Sequence, residues 1–323
     1  MDTLTDAQSD MATTVWDSLS IPNNAEFEDS LQATTIECRR TVNDRRKPTA
    51  PPSSSQAPGE SDEPAAHPQK LCLAFQGACG GVGVTTLAIE TAHILSRSGR
   101  GKVCLVDLDF ETGALAPYLD VSIQPQNEDF RGDPTRLDAQ FIQARLHMHE
   151  AGFSVFASSP DMHGGAAVEP ACVLAALDTL AEMFDVIILD VPRLGSPWTQ
   201  AALLAADKVC LVTDLTIPAL HLCRQRLQAI EQSGVECVEV VLSKYERRSF
   251  RASLRAGDAE RALGREIFGV IAADAYSATD ALNCAVPIGM AARDSRLVKD
   301  IGTIVRALSP HYAERRSAAR RKS

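Results

Sequence analysis

The chain has 323 residues, of which 45% are hydrophobic and 23% charged, and a formal net charge of −10. That length suffices for one doubly wound domain of roughly 240 residues plus further segments. The acidic balance argues against general nucleic-acid binding, because phosphates must be met by clustered Lys and Arg. Charge falls into three regimes: 12 acidic and 6 basic residues over 1–70, 29 and 21 over 71–310, and a net +4 from His311 onward.

Cysteines stand at Cys38, Cys72, Cys79, Cys104, Cys172, Cys210, Cys223, Cys237 and Cys284. Their number is odd, no C-x-x-C occurs, and several lie in apolar runs, which points to buried free thiols in a reducing compartment. No zinc-like cluster is visible. The first residues are acidic where a signal peptide needs positive charge, and no apolar run approaches the ~20 residues of a membrane span. A cytosolic protein is expected.

Residues 1–47 are polar with isolated apolar groups such as Trp16 and Leu19, and read as a disordered tail or a short docking peptide. Residues 48–69 are rich in Pro, Ser and Ala and read as a linker. From Leu71 the texture changes. Nearly all-apolar runs recur at Leu71–Phe75, Val103–Val106, Phe153–Ala157, Val186–Leu189, Val209–Thr213, Val238–Leu242 and Phe268–Ala272. Continuous apolar strands imply burial on both faces, hence a mostly parallel seven-stranded sheet. Helical-period stretches lie between them, at Thr85–Arg97, Leu137–Glu150, Glu169–Met183, Ile217–Gln232 and Ser295–Leu308. The alternation predicts a three-layer α/β sandwich over residues 70–310, with ligands beyond the carboxyl ends of the strands. Residues 311–323 form a basic C-terminal tail.

After the first strand comes Gly77-Ala78-Cys79-Gly80-Gly81-Val82-Gly83-Val84-Thr85-Thr86, and then a helix opens. A Gly-rich turn at a helix N-terminus converges backbone N–H groups on phosphate oxygens. Thr85 stands where a phosphate-loop hydroxyl ligates Mg²⁺. The second strand runs into Asp107-Leu108-Asp109, and a later one into Asp190-Val191-Pro192-Arg193. Acidic strand ends beside such a loop suit a hydrated metal held mainly by phosphates.

These pieces resemble the deviant Walker A ATPases of the ParA/MinD group. That family's loop reads x-Lys-Gly-Gly-x-Gly-Lys-Thr-Thr. Here Gly80, Gly81, Gly83, Thr85 and Thr86 match, while Cys79 replaces the signature lysine and Val84 the Walker lysine. Each lysine would make charge-assisted contacts of roughly 1.5–3 kcal/mol, so weaker binding and weak or absent ATPase activity are expected. The resemblance implies ATP and Mg²⁺ as cofactors, with Gly80, Gly81, Val82, Gly83, Val84, Thr85 and Thr86 around the phosphates. It assigns the metal to Thr85 directly and to Asp107 and Asp190 through water, and the attacking water, where one is used, to Asp109. It puts Ser243 (often Asn in the family), Lys244 and Asp274 on the base side. Arg193, beside Asp190, is a candidate for part of the missing positive charge.

Segments 189–199, 205–213, 241–246 and 281–287 resemble the CpaE/TadZ pilus-assembly branch, which frequently lacks the Walker lysine. That resemblance implies a cytoplasmic localisation and assembly factor for tight-adherence (Flp-type) pili. Its partners would be a second copy of the chain and proteins of the pilus secretion machinery, at the inner face of the membrane or at a cell pole. The alternative is a competent ParA/MinD-like ATPase positioning another assembly or a septum-related complex. The basic run from Lys244 to Arg265 reads as a solvated helical face or a docking patch. The basic tail lacks the apolar face of a membrane helix, leaving at most weak electrostatic attachment to lipid.

Overall fold

The computed structural model describes residues 70–99, 101–122, 127–158, 168–193, 195–246 and 254–310. The expectations for residues 1–47, 48–69 and 311–323, and for Arg247, Arg248 and Arg251, lie outside the described residues. Strand and helix alternate as the hydrophobic pattern requires. β1 (Leu71–Gly77) leads through the Gly-rich turn to α1 (Val84–Ser96) and β2 (Val103–Asp107). α2 (Leu115–Leu119), two 3₁₀ turns, α3 (Ala139–Arg145), β3 (His147–Met148) and β4 (Ser154–Phe156) follow. Next come α4 (Pro170–Met183), β5 (Val186–Val191), α5 (Pro197–Ala205), β6 (Lys208–Thr213), α6 (Ile217–Gln232) and β7 (Val238–Tyr245). The described chain closes with α7 (Ala256–Leu263), β8 (Gly269–Ala272), α8 (Ala275–Asn283), α9 (Ile288–Ala291) and α10 (Arg296–Leu308).

All strands join one sheet in the order β3-β4-β2-β5-β1-β6-β7-β8, parallel except for β3 against β4. The seven apolar runs all became strands. The eighth, β3, corrects both the seven-strand expectation and the helix expected over 137–150. That helix stops at Arg145 because Leu146 turns extended. The His149 amide then donates to the Phe153 carbonyl (2.9 Å), with Gly152 at φ 91°, so the chain reverses and His147–Met148 pairs with β4. Left-handed backbone is cheap only for glycine, and the helical period could not register that reversal.

Each strand alternates its side chains between two cores. Cys72, Ala74, Cys104, Val106 and Leu189 face a layer holding α4, α5 and α6, where Phe110, Phe130 and Trp198 pack at 4.9–5.1 Å between ring centroids. Leu73, Phe75, Leu105 and Ile188 face the layer of α1 and α10. Burial on both faces is what a parallel sheet demands. The eight cysteines among the described residues are free, five of them buried, as their apolar setting implied. No helix of the described residues is long and apolar enough to cross a membrane. β1 lies between β5 and β6, where the strand order reverses, so the Gly-rich turn emerges at the crevice in which such sheets take ligands.

Candidate nucleotide site

The turn after β1 is pinned at its start by the Ala78 amide donating to Val212 O of β6 (2.8 Å). Gly81 and Gly83 take φ of 71° and 87°, and Gly83 is the N-cap of α1, with Leu87 N donating to its carbonyl. A β-carbon at Gly77 would lie 3.0 Å from both Cys79 O and the Val84 Cγ2 methyl. The turn therefore needs its glycines for close approach and for left-handed backbone. The unpaired first-turn amides of α1 then remain for an anion. The expected loop residues from Gly80 to Thr86 form this one turn. Val82 is buried in the core and Val84 packs on it, so those two contribute backbone, not side chains.

Beside the turn, Asp107 and Asp190 are register partners on β2 and β5. Asp107 is 1% exposed; its Oδ1 accepts from Asp109 N (2.9 Å) and its Oδ2 from Leu115 N (3.3 Å). Gly113 makes room for that carboxylate, since a β-carbon there would sit 2.7 Å from Oδ2. Burial, and then Asp190, push the Asp107 carboxyl well above the usual range. Asp190 is pushed up to about 7, chiefly by burial, against a hydrogen bond with the Thr85 side chain that favours its charged form. Two buried carboxylates that repel each other, with the Thr85 hydroxyl between them and the turn, suit a divalent cation. Among the described residues no three His, Cys, Asp or Glu side chains gather to hold a metal by themselves. A Mg²⁺ here would take its remaining ligands from phosphate and water.

Asp109 spends its carboxylate on its own turn. Oδ1 accepts from the Glu111 and Thr112 amides and Oδ2 from the Thr112 hydroxyl at 2.7 Å. Of the residues expected near a base, the buried Ser243 donates its hydroxyl to Thr213 O (3.2 Å). Asp274 caps α8, accepting from Ser277 N, and also receives the Ser277 and Ser295 hydroxyls at 2.7 Å each. Those bonds hold its carboxyl below the usual range. The structure thus gathers the turn, Thr85, Asp107 and Asp190, and it gives Ser243 and Asp274 structural partners elsewhere.

The sequence reading undervalued the positive charge around the turn. Lys244, at φ 54° near the end of β7, donates its Nζ to Gly81 O at 2.5 Å. The Arg193 guanidinium lies beside Gly80, 3.9 Å from where a β-carbon would be. Arg226 of α6 is half-buried, and its pKa is pushed down first by burial and then by the charge of Arg193. Burial pushes the Cys79 thiol up, Asp214 adds to this, and Arg193 and Lys244 oppose it. Lys244 and Arg193 thus flank a turn that carries no lysine of its own, and Arg226 of α6 lies within electrostatic reach of Arg193. Arg226 had no signal in the sequence: its position depends on how α6 docks. The basic run itself divides, with Arg261 paired to Asp258 and Arg265 to Glu231.

A Gly-rich turn between the central strand and a helix, flanked by acidic ends of neighbouring parallel strands, defines a phosphate-loop α/β protein of the ParA/MinD class. The chain belongs to the ParA/MinD ATPase family, within the group whose family model, cellulose biosynthesis protein BcsQ, matches residues 70–307. The chromosome-partitioning ATPase Soj of Thermus thermophilus is 28% identical over 211 residues, covering 63% of this chain and 80% of that protein. A ParA family ATPase from Chlorobium tepidum superposes with a TM-score of 0.66 at 22% identity, covering 73% of this chain and 97% of that one. The septum site-determining protein MinD from Pyrococcus horikoshii, solved with Mg-ADP, gives 0.63 at 16%, covering 79% and 100%. The structural likenesses carry the fold.

Proposed function

We propose that this protein binds ATP–Mg²⁺ and dimerises around it with little or no hydrolysis, serving in the cytoplasm as an assembly and localisation factor for tight-adherence pili. The observation that carries the nucleotide reading is the pair of cations on the turn, Arg193 and Lys244, backed by Arg226 and beside the Thr85–Asp190 pair. An anion there meets charge and free amides together. Weak or absent turnover follows from Cys79 and Val84 standing where lysines would neutralise charge developing on the γ-phosphate. Nucleotide then acts as a structural ligand that stabilises the dimer by mass action. The pilus assignment rests on the segments around Asp190, Asp207, Ser243 and Ala281 that resemble the CpaE/TadZ branch.

A second reading is favoured by the family description: the same nucleotide-bound dimer would serve a cellulose-producing envelope machine. Deleting the gene separates the two, since loss of surface pilin supports the first and loss of cellulose-dye binding the second. Calorimetric titration of the protein with ATP–Mg²⁺ tests the site itself. Thr85→Ala is expected to weaken binding by about tenfold or more, and unchanged affinity would remove the metal assignment. Turnover above background that collapses in Asp109→Ala would replace the structural-ligand reading with a cycling ATPase.

A further inference from the structure

β1 ends on Gln76 and Gly77, directly before the Gly-rich turn. Gln76 shares its face of the strand with Cys72 and Ala74 and is 1% exposed, so an amide stands where the neighbouring positions are apolar. Its Nε2 donates to the Pro192 carbonyl at 2.8 Å, across 116 residues of sequence. Its Oε1 is buried as well and has no hydrogen-bond partner among the described residues. A buried acceptor left unpaired is destabilising, and a methionine or leucine would fill the same volume without one. What Gln76 contributes that an apolar residue could not is the bond to Pro192.

Pro192 is the first residue beyond β5, whose last residue, Val191, is the register partner of Gln76. Its ring fixes φ and it carries no N–H, so its carbonyl is the one backbone group by which it can be tied, and Gln76 ties it. Both restraints act on the peptide that leads into Arg193. The Arg193 side chain is exposed and makes no ion pair or hydrogen bond with the described residues. It nevertheless lies at the turn, with Cζ 3.9 Å and a terminal nitrogen 4.0 Å from where a β-carbon on Gly80 would be. Its charge also meets that of Arg226, which repels it. An exposed arginine with a repelling neighbour and no bond of its own spreads over its rotamers. The direction in which the backbone delivers it therefore decides how much of its time is spent at Gly80.

We propose that Gln76 is a positioning residue for the nucleotide: by holding the Pro192 carbonyl it aims Arg193 at phosphates bound on the turn. The inference rests on the nucleotide reading above and adds to it a residue that acts on the ligand only through Arg193. The test is calorimetric titration of the full chain with ATP–Mg²⁺ for wild type, Gln76→Met, Arg193→Ala and the double variant, each at two salt concentrations. Arg193→Ala should weaken binding about tenfold or more and Gln76→Met about three- to tenfold. Both should show a shallower salt dependence and an unchanged circular dichroism spectrum. In the Arg193→Ala background Gln76→Met should change nothing further, because the side chain it positions is gone. Pro192→Gly loosens the same peptide without altering the core side chain at 76. It should match Gln76→Met without adding to it, and it carries the same cycle if Gln76→Met does not fold. Wild-type affinity in the folded Gln76→Met or Pro192→Gly protein overturns the proposal. So does an equal loss with and without Arg193, which would mean that Gln76 acts through the fold of the turn and not through the arginine. Wild type that shows no saturable binding at millimolar ATP–Mg²⁺ removes the nucleotide reading and this proposal with it, whereas the other two outcomes leave that reading standing.

Discussion

Glu90→Gln is expected to stabilise the protein, and by an amount that depends on pH. Burial is the main cause that lifts the Glu90 carboxyl from its ordinary 4.5 to about 7, against the Gly289 and Ile288 amides, which favour the charged form. A group whose folded pKa lies above its unfolded one contributes stability that is complete below the unfolded value. That contribution is lost as pH rises through the folded value. Wild-type stability therefore falls between about pH 4.5 and 7, and the gap corresponds to about 3 kcal/mol. Glutamine keeps the shape and an acceptor for Gly289 N without the ionisation. The variant should exceed wild type by about 1 kcal/mol near pH 5 and by about 3 kcal/mol near pH 8. His93 has the opposite dependence. Burial, with Arg97 next, lowers it from 6.5 to about 4, so stability is lost as pH falls through that window. It acts in both proteins and largely cancels in the difference. Urea unfolding at the two pH values, followed by far-ultraviolet circular dichroism, measures the quantity. A difference that stays constant with pH would refute the reasoning, because it would mean that Glu90 ionises as freely in the fold as in the unfolded chain.

Arg193→Ala and Lys244→Ala should each weaken ATP–Mg²⁺ binding about tenfold or more, with a shallower salt dependence, as read by calorimetry at two ionic strengths. Gly269→Ala should destabilise the fold by about 1–3 kcal/mol, because the new methyl collides with the Ile304 side chain of α10. Thermal unfolding checks this, and trimming Ile304 to alanine in the same chain should return part of the loss.

The strands were legible because a parallel sheet buried on both faces writes itself as short, continuous apolar runs rich in Val, Ile and Leu, such as Val186–Leu189 and Val209–Thr213. Long amphipathic helices such as α6 and α10 were legible for a related reason. Short elements were not. α5 is alanine-rich and nearly all buried, so it shows little contrast between faces, while α8 is tied by the Ser295 hydroxyl on its cap Asp274 and α9 by the Glu90–Gly289 contact, both long-range. The glycine turn and the strand-end carboxylates could be placed from their order alone. The cations could not, since Arg193 and Arg226 meet only once α6 has packed on β6 and β7, and Lys244 reaches Gly81 over 163 residues of sequence. Glu90 and His93 read as ordinary positions of a helix, and only the fold brings Gly289 and Arg293 against them.

The relocation of charge has a consequence for binding that a lysine on the turn would not have. The Arg193 and Arg226 charges repel one another, and Lys244 is held by a carbonyl of the turn itself. An incoming phosphate relieves the first repulsion and competes for the second contact, so the three cations act as a coupled set whose effects are not additive. Val84→Lys returns a fourth cation to the position where the family carries its lysine. If the surrounding cations already neutralise the phosphates, that lysine should add little to wild type. It should recover about tenfold or more when Arg193 and Lys244 are both alanine. The four proteins form a double-mutant cycle on ATP–Mg²⁺ affinity. An equal gain from Val84→Lys in both backgrounds would show that Arg193 and Lys244 do not stand in for the absent lysine, and the charge around the turn would then need another purpose.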